Sequence, residues 1–263
     1  MLVNSFSRPA ARAALSLAGF SFSALLAAPE SNPKVAKNGK LGVLSAPLHL
    51  APARLSGFNV CPQASQGCIA ACLHTAGNPV YMPAKSKSRI AKTQAYMRQR
   101  PAFLALLAFE IAALVRKAEG LGMEPSVRLN ATSDIAWEAV ALTIDGKAYR
   151  NLMEAFPMVQ FYDYTKVTKR ALKHARGYLP PNYHLTFSKT EANDVDVTTV
   201  LNAGGNVAVV FAKGLPTSYM GSPVIDGDET DYRPLDPMGV VVGLKAKGLA
   251  KSDASGFVVR NAA

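Results

Sequence analysis

The sequence predicts an α/β protein built on parallel strands: a partial (β/α) TIM-like barrel of five to six units, with a doubly wound open parallel sheet as the alternative. Three observations carry the prediction. Beyond Pro125, extended and helical stretches alternate with short connections, and parallel neighbours need a crossover that is usually a helix. The polar residues of that region fall just after the extended stretches, where parallel α/β folds place their sites. The chain of 263 residues is 49% hydrophobic and 8% aromatic, enough to bury the core of one large domain or two small ones.

Residues 1–38 read as an N-terminal extension, partly an amphipathic helix and partly a Pro/Asn/Lys linker, and residues 39–263 as a single α/β domain. The extension begins like a signal peptide, with Arg8 and Arg12 ahead of apolar residues 13–28. Cleavage after Ala28, however, would put Leu26 where a small residue is wanted and Pro29 directly after the cut. The apolar run is broken by Ser16, Gly19, Ser21 and Ser23, and no other stretch approaches the ~20 residues of a membrane helix, so no membrane partner is expected. Residues 40–60 are short apolar stretches cut by Pro47, Pro52 and Gly57, and predict a β-hairpin or irregular cap. Residues 88–99 and 102–119 read as helices: Phe103, Leu106, Leu107, Ile111 and Leu114 recur at helical spacing, Pro101 suits a first turn, and Gly120 and Gly122 supply the stop. Strands are expected at 126–130, 159–164, 183–188, 206–211 and 239–244, with helices near 149–155, 167–175 and 194–201. Gly204-Gly205 precedes a strand and reads as a helix stop rather than a phosphate loop.

Every cysteine of the chain lies in one segment, Cys61, Cys68 and Cys72, at spacing C-x6-C-x3-C. An odd number in one cluster is no disulfide framework and fits reduced thiols in a cytosolic setting. Cys68 and Cys72 would share a face of a helix beginning near Gly67. Three thiolates can bind zinc with a histidine, for which His74 is the nearest candidate, or hold three irons of a [4Fe–4S] cluster and leave the fourth open. An open iron can take the amino and carboxylate groups of S-adenosylmethionine and pass an electron to its sulfonium. Three cysteines on a loop before a partial barrel is the arrangement of radical SAM enzymes. Their usual spacing is C-x3-C-x2-C with an aromatic residue before the last cysteine, where this chain has Ala71. Structural zinc, or three merely buried thiols, is the alternative.

At the expected strand ends, Asn130, Ser133, Asp134 and Ser188 are the candidate cofactor-binding residues, and Asp163 and Lys166 the candidate catalytic pair. A carboxylate and an amine at one strand end can shift each other's pKa, handle a proton or grip a charged substrate; as a plain ion pair they would instead stabilise the strand-to-helix turn. Strand direction alone should bring all six to one pocket with the cysteine loop at its mouth. The sequence carries 29 Lys and Arg against 18 Asp and Glu, a net charge of +11, which favours polyanions. Two basic stripes follow: Lys85, Lys87, Arg89, Lys92, Arg98 and Arg100, then Lys166, Lys169, Arg170, Lys173 and Arg176. They keep open a second class of function, a metal-stabilised nucleic-acid-binding protein without catalysis, beside an enzyme acting on a small molecule or nucleic acid. The acidic run Asp226-Gly227-Asp228-Glu229-Thr230-Asp231 reads either as a cation site or as a turn that pairs with the basic surface.

Several strings carry a resemblance: Asn59-Val60-Cys61-Pro62 through Cys72-Leu73, Val127-Arg128-Leu129-Asn130-Ala131-Thr132-Ser133-Asp134, Phe161-Tyr162-Asp163-Tyr164-Thr165-Lys166 and Asn182-Tyr183-His184-Leu185-Thr186-Phe187-Ser188. With Val224-Ile225-Asp226-Gly227-Asp228 and Val242-Gly243-Leu244-Lys245-Ala246-Lys247-Gly248, they occur in the same order in the phage gene-product-eighty-eight family, which the chain resembles over residues 33–259. The resemblance implies a phage or prophage origin and a cytoplasmic life in an infected or lysogenic bacterium, and implies no activity. The cysteine loop also resembles that of the phage gene-product-thirty-seven family, which is read as radical-SAM-like and whose last gap is one residue shorter.

Overall fold

A computed structural model describes residues 7–31, 33–72 and 83–260. Among these the chain runs α1 (Arg8–Leu17), α2 (Pro33–Ala36), β1 (Val43–Pro47), α3 (Gln66–Ala70), α4 (Pro83–Arg98), α5 (Arg100–Leu121), β2 (Glu124–Arg128), β3 (Leu142–Ile144) and β4 (Lys147–Tyr149). It continues α6 (Leu152–Ala155), β5 (Gln160–Thr165), α7 (Thr168–Ala175), β6 (Tyr183–Ser188), α8 (Asp194–Asn202), β7 (Val207–Phe211), β8 (Ser218–Tyr219), β9 (Ser222–Asp226), β10 (Val241–Lys245) and β11 (Val258–Val259).

Nine strands form one largely parallel sheet in the order β1-β2-β5-β6-β7-β10-β9-β8, with β11 added beside β7. From β1 to β7 the parallel neighbours follow one another along the chain, without the reversal between two halves of a doubly wound sheet; the order turns back only beyond β7, where β10 lies between β7 and the earlier parallel strand β9. The sheet stays open, with β1 at one edge and the two-residue β8 at the other. The expected TIM-like barrel is therefore not closed. No helix of the described residues is long and apolar enough to cross a membrane.

Strand alternation divides the sheet into unlike faces. The apolar face packs on the helices. Phe103, Leu107 and Ile111 of α5 share a core with Val127, Phe161 and Leu185, and Ala171, Val197 and Val200 of α7 and α8 share a second with Phe187, Val207 and Val209. Full burial of such a side chain stabilises by roughly 1.5–3 kcal/mol. The other face is polar: the hydroxyls of Ser45 and Ser126 lie 2.6 Å apart, the Asn38 amide donates to Ser45 at 2.8 Å, and Arg128 donates to both Asp231 oxygens at 2.9 Å. Arg128 also stacks 4.7 Å from the Tyr164 ring centre.

Two expectations are corrected. The segment expected to be a hairpin or irregular cap contains β1, a parallel strand registered on β2 from Val43↔Glu124 to Pro47↔Arg128. Burial at all five of its positions hides the alternation that identifies a strand. The helix expected over 149–155 is short, because residues 147–149 turn back on β3 through Asp145 and Gly146, both at positive φ (48° and 79°), the conformation of a tight hairpin turn. The N-terminal segment lies on the domain. Ala11 and Leu15 of α1 join the core beneath α5, and Glu110 accepts from the backbone N–H groups of Leu25 and Leu26 at 2.9 and 2.8 Å.

Candidate functional site

Cys61, Cys68 and Cys72 line one cavity of about 520 Å³ together with Arg54, Leu55 and Ile69, a volume in the usual range for small-molecule sites. The segment that builds it leaves the carboxyl end of β1, loops through Pro52 and Asn59, and enters α3. Ser65 caps that helix, its hydroxyl accepting the Cys68 N–H at 3.2 Å. Cys61 is held elsewhere: its sulfur accepts the Ala53 N–H at 3.3 Å and faces the Thr132 carbonyl at 3.9 Å. All three cysteines are half-buried. Burial, with Cys72 and Asp134 nearby, pushes the Cys61 thiol up to about 11 against the pull of Ala53 N–H and Lys166.

Two cations attend the sulfurs. Burial lowers the tendency of Lys166 to hold its proton, but the nearby charges of Cys68, Asp134 and Cys61 outweigh this and raise its pKa. Arg89 of α4 lies near Cys72 and close to His49, whose imidazole burial and the charges of Arg89 and Arg128 hold neutral, down at about 3. Among the described residues, no group of three His, Cys, Asp or Glu side chains is placed as ligands of one metal ion. His74 lies outside the described residues.

The polar residues of the β2 and β5 rims meet as one hydrogen-bonded network. Asn130 N–H donates to Asp163 Oδ1 at 2.6 Å, and the Asn130 amide to Oδ2 at 3.2 Å. Asn130 Oδ1 accepts from Ser133 Oγ, Ile135 N–H and Trp137 Nε1 at 2.8–3.1 Å. The Tyr183 hydroxyl donates to Asp163 Oδ2 at 2.9 Å. Asp134 accepts the Lys166 N–H at 2.8 Å and the Arg170 guanidinium at 2.6 Å, while Arg170 also grips Glu138 at 2.7 Å. Asn130, Ser133, Asp134 and Asp163 are thus brought together, with Lys166 joined through its backbone. The side-chain partners of Asp163 are Asn130 and Tyr183, whereas the Lys166 ammonium lies near the Cys68 sulfur. Ser188 lies apart. On β6 it shares the face of Thr186, which pairs with Tyr164, whereas Asp163 pairs with Leu185 on the other face.

Four residues of the two basic stripes turn inward: Lys92 donates to the Leu25 carbonyl at 2.9 Å, Arg89 and Lys166 lie near Cys72 and Cys68, and Arg170 joins the buried network. The acidic run pairs with basic residues, Asp226 with Lys245 at 3.4 Å, Asp228 with Lys247 at 2.7 Å and Asp231 with Arg128 at 2.9 Å. Sequence reasoning missed Glu191, whose carboxylate accepts from Ser65 Oγ at 2.6 Å and Gly67 N–H at 2.8 Å. No local signal marks a contact across 126 residues of chain.

The family model described as Gene product 88 matches residues 24–261. No curated protein and no solved structure matches the chain, and the likeness of the cysteine loop to the gene-product-thirty-seven family draws no support from these comparisons. With nearly its whole length matched, the chain belongs to the phage gene-product-88 family.

Proposed function

We propose that the cysteine-lined cavity is an iron–sulfur site and the chain an enzyme of the radical SAM type, in which Cys61, Cys68 and Cys72 hold a [4Fe–4S] cluster and S-adenosylmethionine is the cosubstrate. One observation carries the reading: all three cysteines face a single cavity beyond the carboxyl end of β1, at the rim of six parallel strands that follow in chain order. That order also fits a segment of a (β/α) barrel. When bound, such a cluster supplies an electron to the sulfonium through the iron that no cysteine holds.

The chain's own residues prepare that cavity. As cluster ligands the three cysteines would be thiolates that repel one another, Cys61 giving up its proton on binding, and Lys166 and Arg89 would offset their charge. The Ala53 N–H fixes the direction of the Cys61 sulfur, as outer groups orient metal ligands generally. Asp134 holds the Lys166 backbone so that its ammonium reaches Cys68, and Asp163 holds the loop carrying Asn130, Ser133 and Asp134. A cluster distributes its cysteines over three irons. It therefore asks less convergence of the sulfurs than one zinc ion, with Zn–S distances of about 2.3 Å. The reduced host cytosol is the compartment this reading needs.

Anaerobic reconstitution of the full chain with iron and sulfide should give a brown protein with about four irons per chain. Alanine at any of the three cysteines should lower the iron content, and binding of S-adenosylmethionine should require the loaded cluster. Tight stoichiometric zinc with no iron uptake would overturn the reading.

A further inference from the structure

The carboxyl-terminal strand sits in an unusual place. β6 and β7 pair only at Phe187↔Val207 and Ser188↔Ala208. Farther along, β7 pairs with β11 at Val258↔Val210 and Val259↔Phe211. Because β10 follows the other edge of β7 from Val207 to Phe211, β11 fills the gap that opens where β6 leaves. The residues before it reach the cysteine helix. A methyl group on Gly67 would stand 2.2 Å from Ser255 Oγ and 2.8 Å from Phe257 Cβ, so the α3 backbone rests directly on this segment. Ala71 is buried with Val258 and Ala250. Asp253 braces the segment internally, accepting from Ser255 Oγ at 2.7 Å and Val258 N–H at 3.0 Å. From the β6 side, Glu191 accepts from Ser65 and Gly67 at the start of the same helix.

We infer that Glu191 and residues 253–259 are the positioning elements of the cysteine site: β11 in the β6/β7 gap and the Glu191 carboxylate set how α3 presents Cys68 and Cys72 to the cavity. The inference rests on the cavity being the functional site. With five residues, α3 is far too short to hold its own conformation, so its direction comes from what it docks on. Hydrogen bonds to a carboxylate are among the stronger ones available for this. Cys61 depends on Ala53 and Thr132 instead. Loosening the dock should therefore release two cysteines and spare the third.

The test is the rate at which each cysteine is alkylated by iodoacetamide in the full, reduced, metal-free chain, resolved by mass spectrometry. Glu191→Ala, Val258→Asp and Gly67→Ala should each raise the rates at Cys68 and Cys72 about tenfold over that at Cys61. Glu191→Gln, which keeps one acceptor, should raise them less. Gly67→Ala improves intrinsic helix propensity, so a rise there isolates docking from the stability of α3 itself. Fluorescence of the buried Trp137 should be unchanged. Unchanged rates in the Glu191 variants, or an equal rise at all three cysteines, would overturn the inference. No metal enters the measurement, so its outcome is separate from that of the iron reconstitution.

Discussion

Asp163 stands at the carboxyl end of β5 with no exposed surface, and its oxygens receive two donors from Asn130 and one from Tyr183. Burial nevertheless prevails over these donors and pushes its pKa from 3.8 up to about 7. The folded chain then holds a proton that the unfolded chain gives up at lower pH, so the contribution to stability is complete below the ordinary carboxylate range and is lost as pH rises toward 7. Urea midpoints measured across that window should fall with pH in the native chain and fall less in Asp163→Asn. A midpoint that rises through the window in the native chain, with the rise abolished in the variant, would show the carboxylate ionised instead. Arg170 poses the reverse case, a charge that burial would punish without its partners. It is 6% exposed between Asp134 and Glu138, and Arg170→Leu leaves both carboxylates uncompensated. The expected loss is ~3–5 kcal/mol, read as a lowered denaturation midpoint. A loss within ~0.5 kcal/mol, as for an exposed pair, would remove the network from the core. Neither role was legible in sequence: Arg170 stood in a run that reads as a basic helix face, and what distinguishes a buried guanidinium from a solvated one lies 32 and 36 residues away.

Elements were legible where local pattern and tertiary context agree. α5 announces itself through helical spacing, Pro101 and a glycine stop at Gly122, where φ is +64°. β6 matches its expected bounds, β5 shifts by one residue at both ends and β7 by one residue at its start. Two of the elements that escaped detection have their pairing decided elsewhere. β1 is fully buried and lacks alternation, and β11 has two residues and exists because β6 leaves a gap. α1 is intermediate, since its amphipathic pattern is visible while its docking partner is not. Its buried stripe is only Ala11 and Leu15, packed under α5. Leu15→Ala tests whether this docking belongs to the cooperative fold. A side chain 2% exposed should cost ~2–3 kcal/mol on truncation, measured by thermal or urea denaturation. A separate extension would leave the main transition unmoved.

At the scale of the whole molecule, sequential winding explains why residues far apart in the chain meet at one rim. Each parallel strand ends on the same side of the sheet, so the loops after β1, β2, β5 and β6 deliver the cysteines, Asn130 to Asp134, Lys166 and Glu191 to one neighbourhood. Strand direction alone predicts this meeting at one rim but not the shared pocket expected from it: none of Asn130, Ser133, Asp134, Asp163, Lys166 and Ser188 is among the residues that line the cysteine cavity. Nor does it predict the division of labour at the rim, because which group faces the cavity and which braces the loop depends on side-chain partners. The arrangement has a consequence for ligand loading. A group bound between Cys61 and α3 touches elements that are fixed by different strands: Ala53 and Thr132 on one side, Glu191, Ser255 and Phe257 on the other. Binding stabilises whatever must stay closed around the ligand. Iron and sulfide loading should therefore slow amide hydrogen exchange in residues 52–72, 130–134, 189–193 and 253–259 together. The interior of α5, where Phe103, Leu107 and Ile111 are fully buried in the main core, should already exchange by global unfolding and gain protection only as global stability rises. Protection confined to residues 61–72 would mean that the cysteine loop binds as an isolated peptide, and the four segments would then not act as one rim.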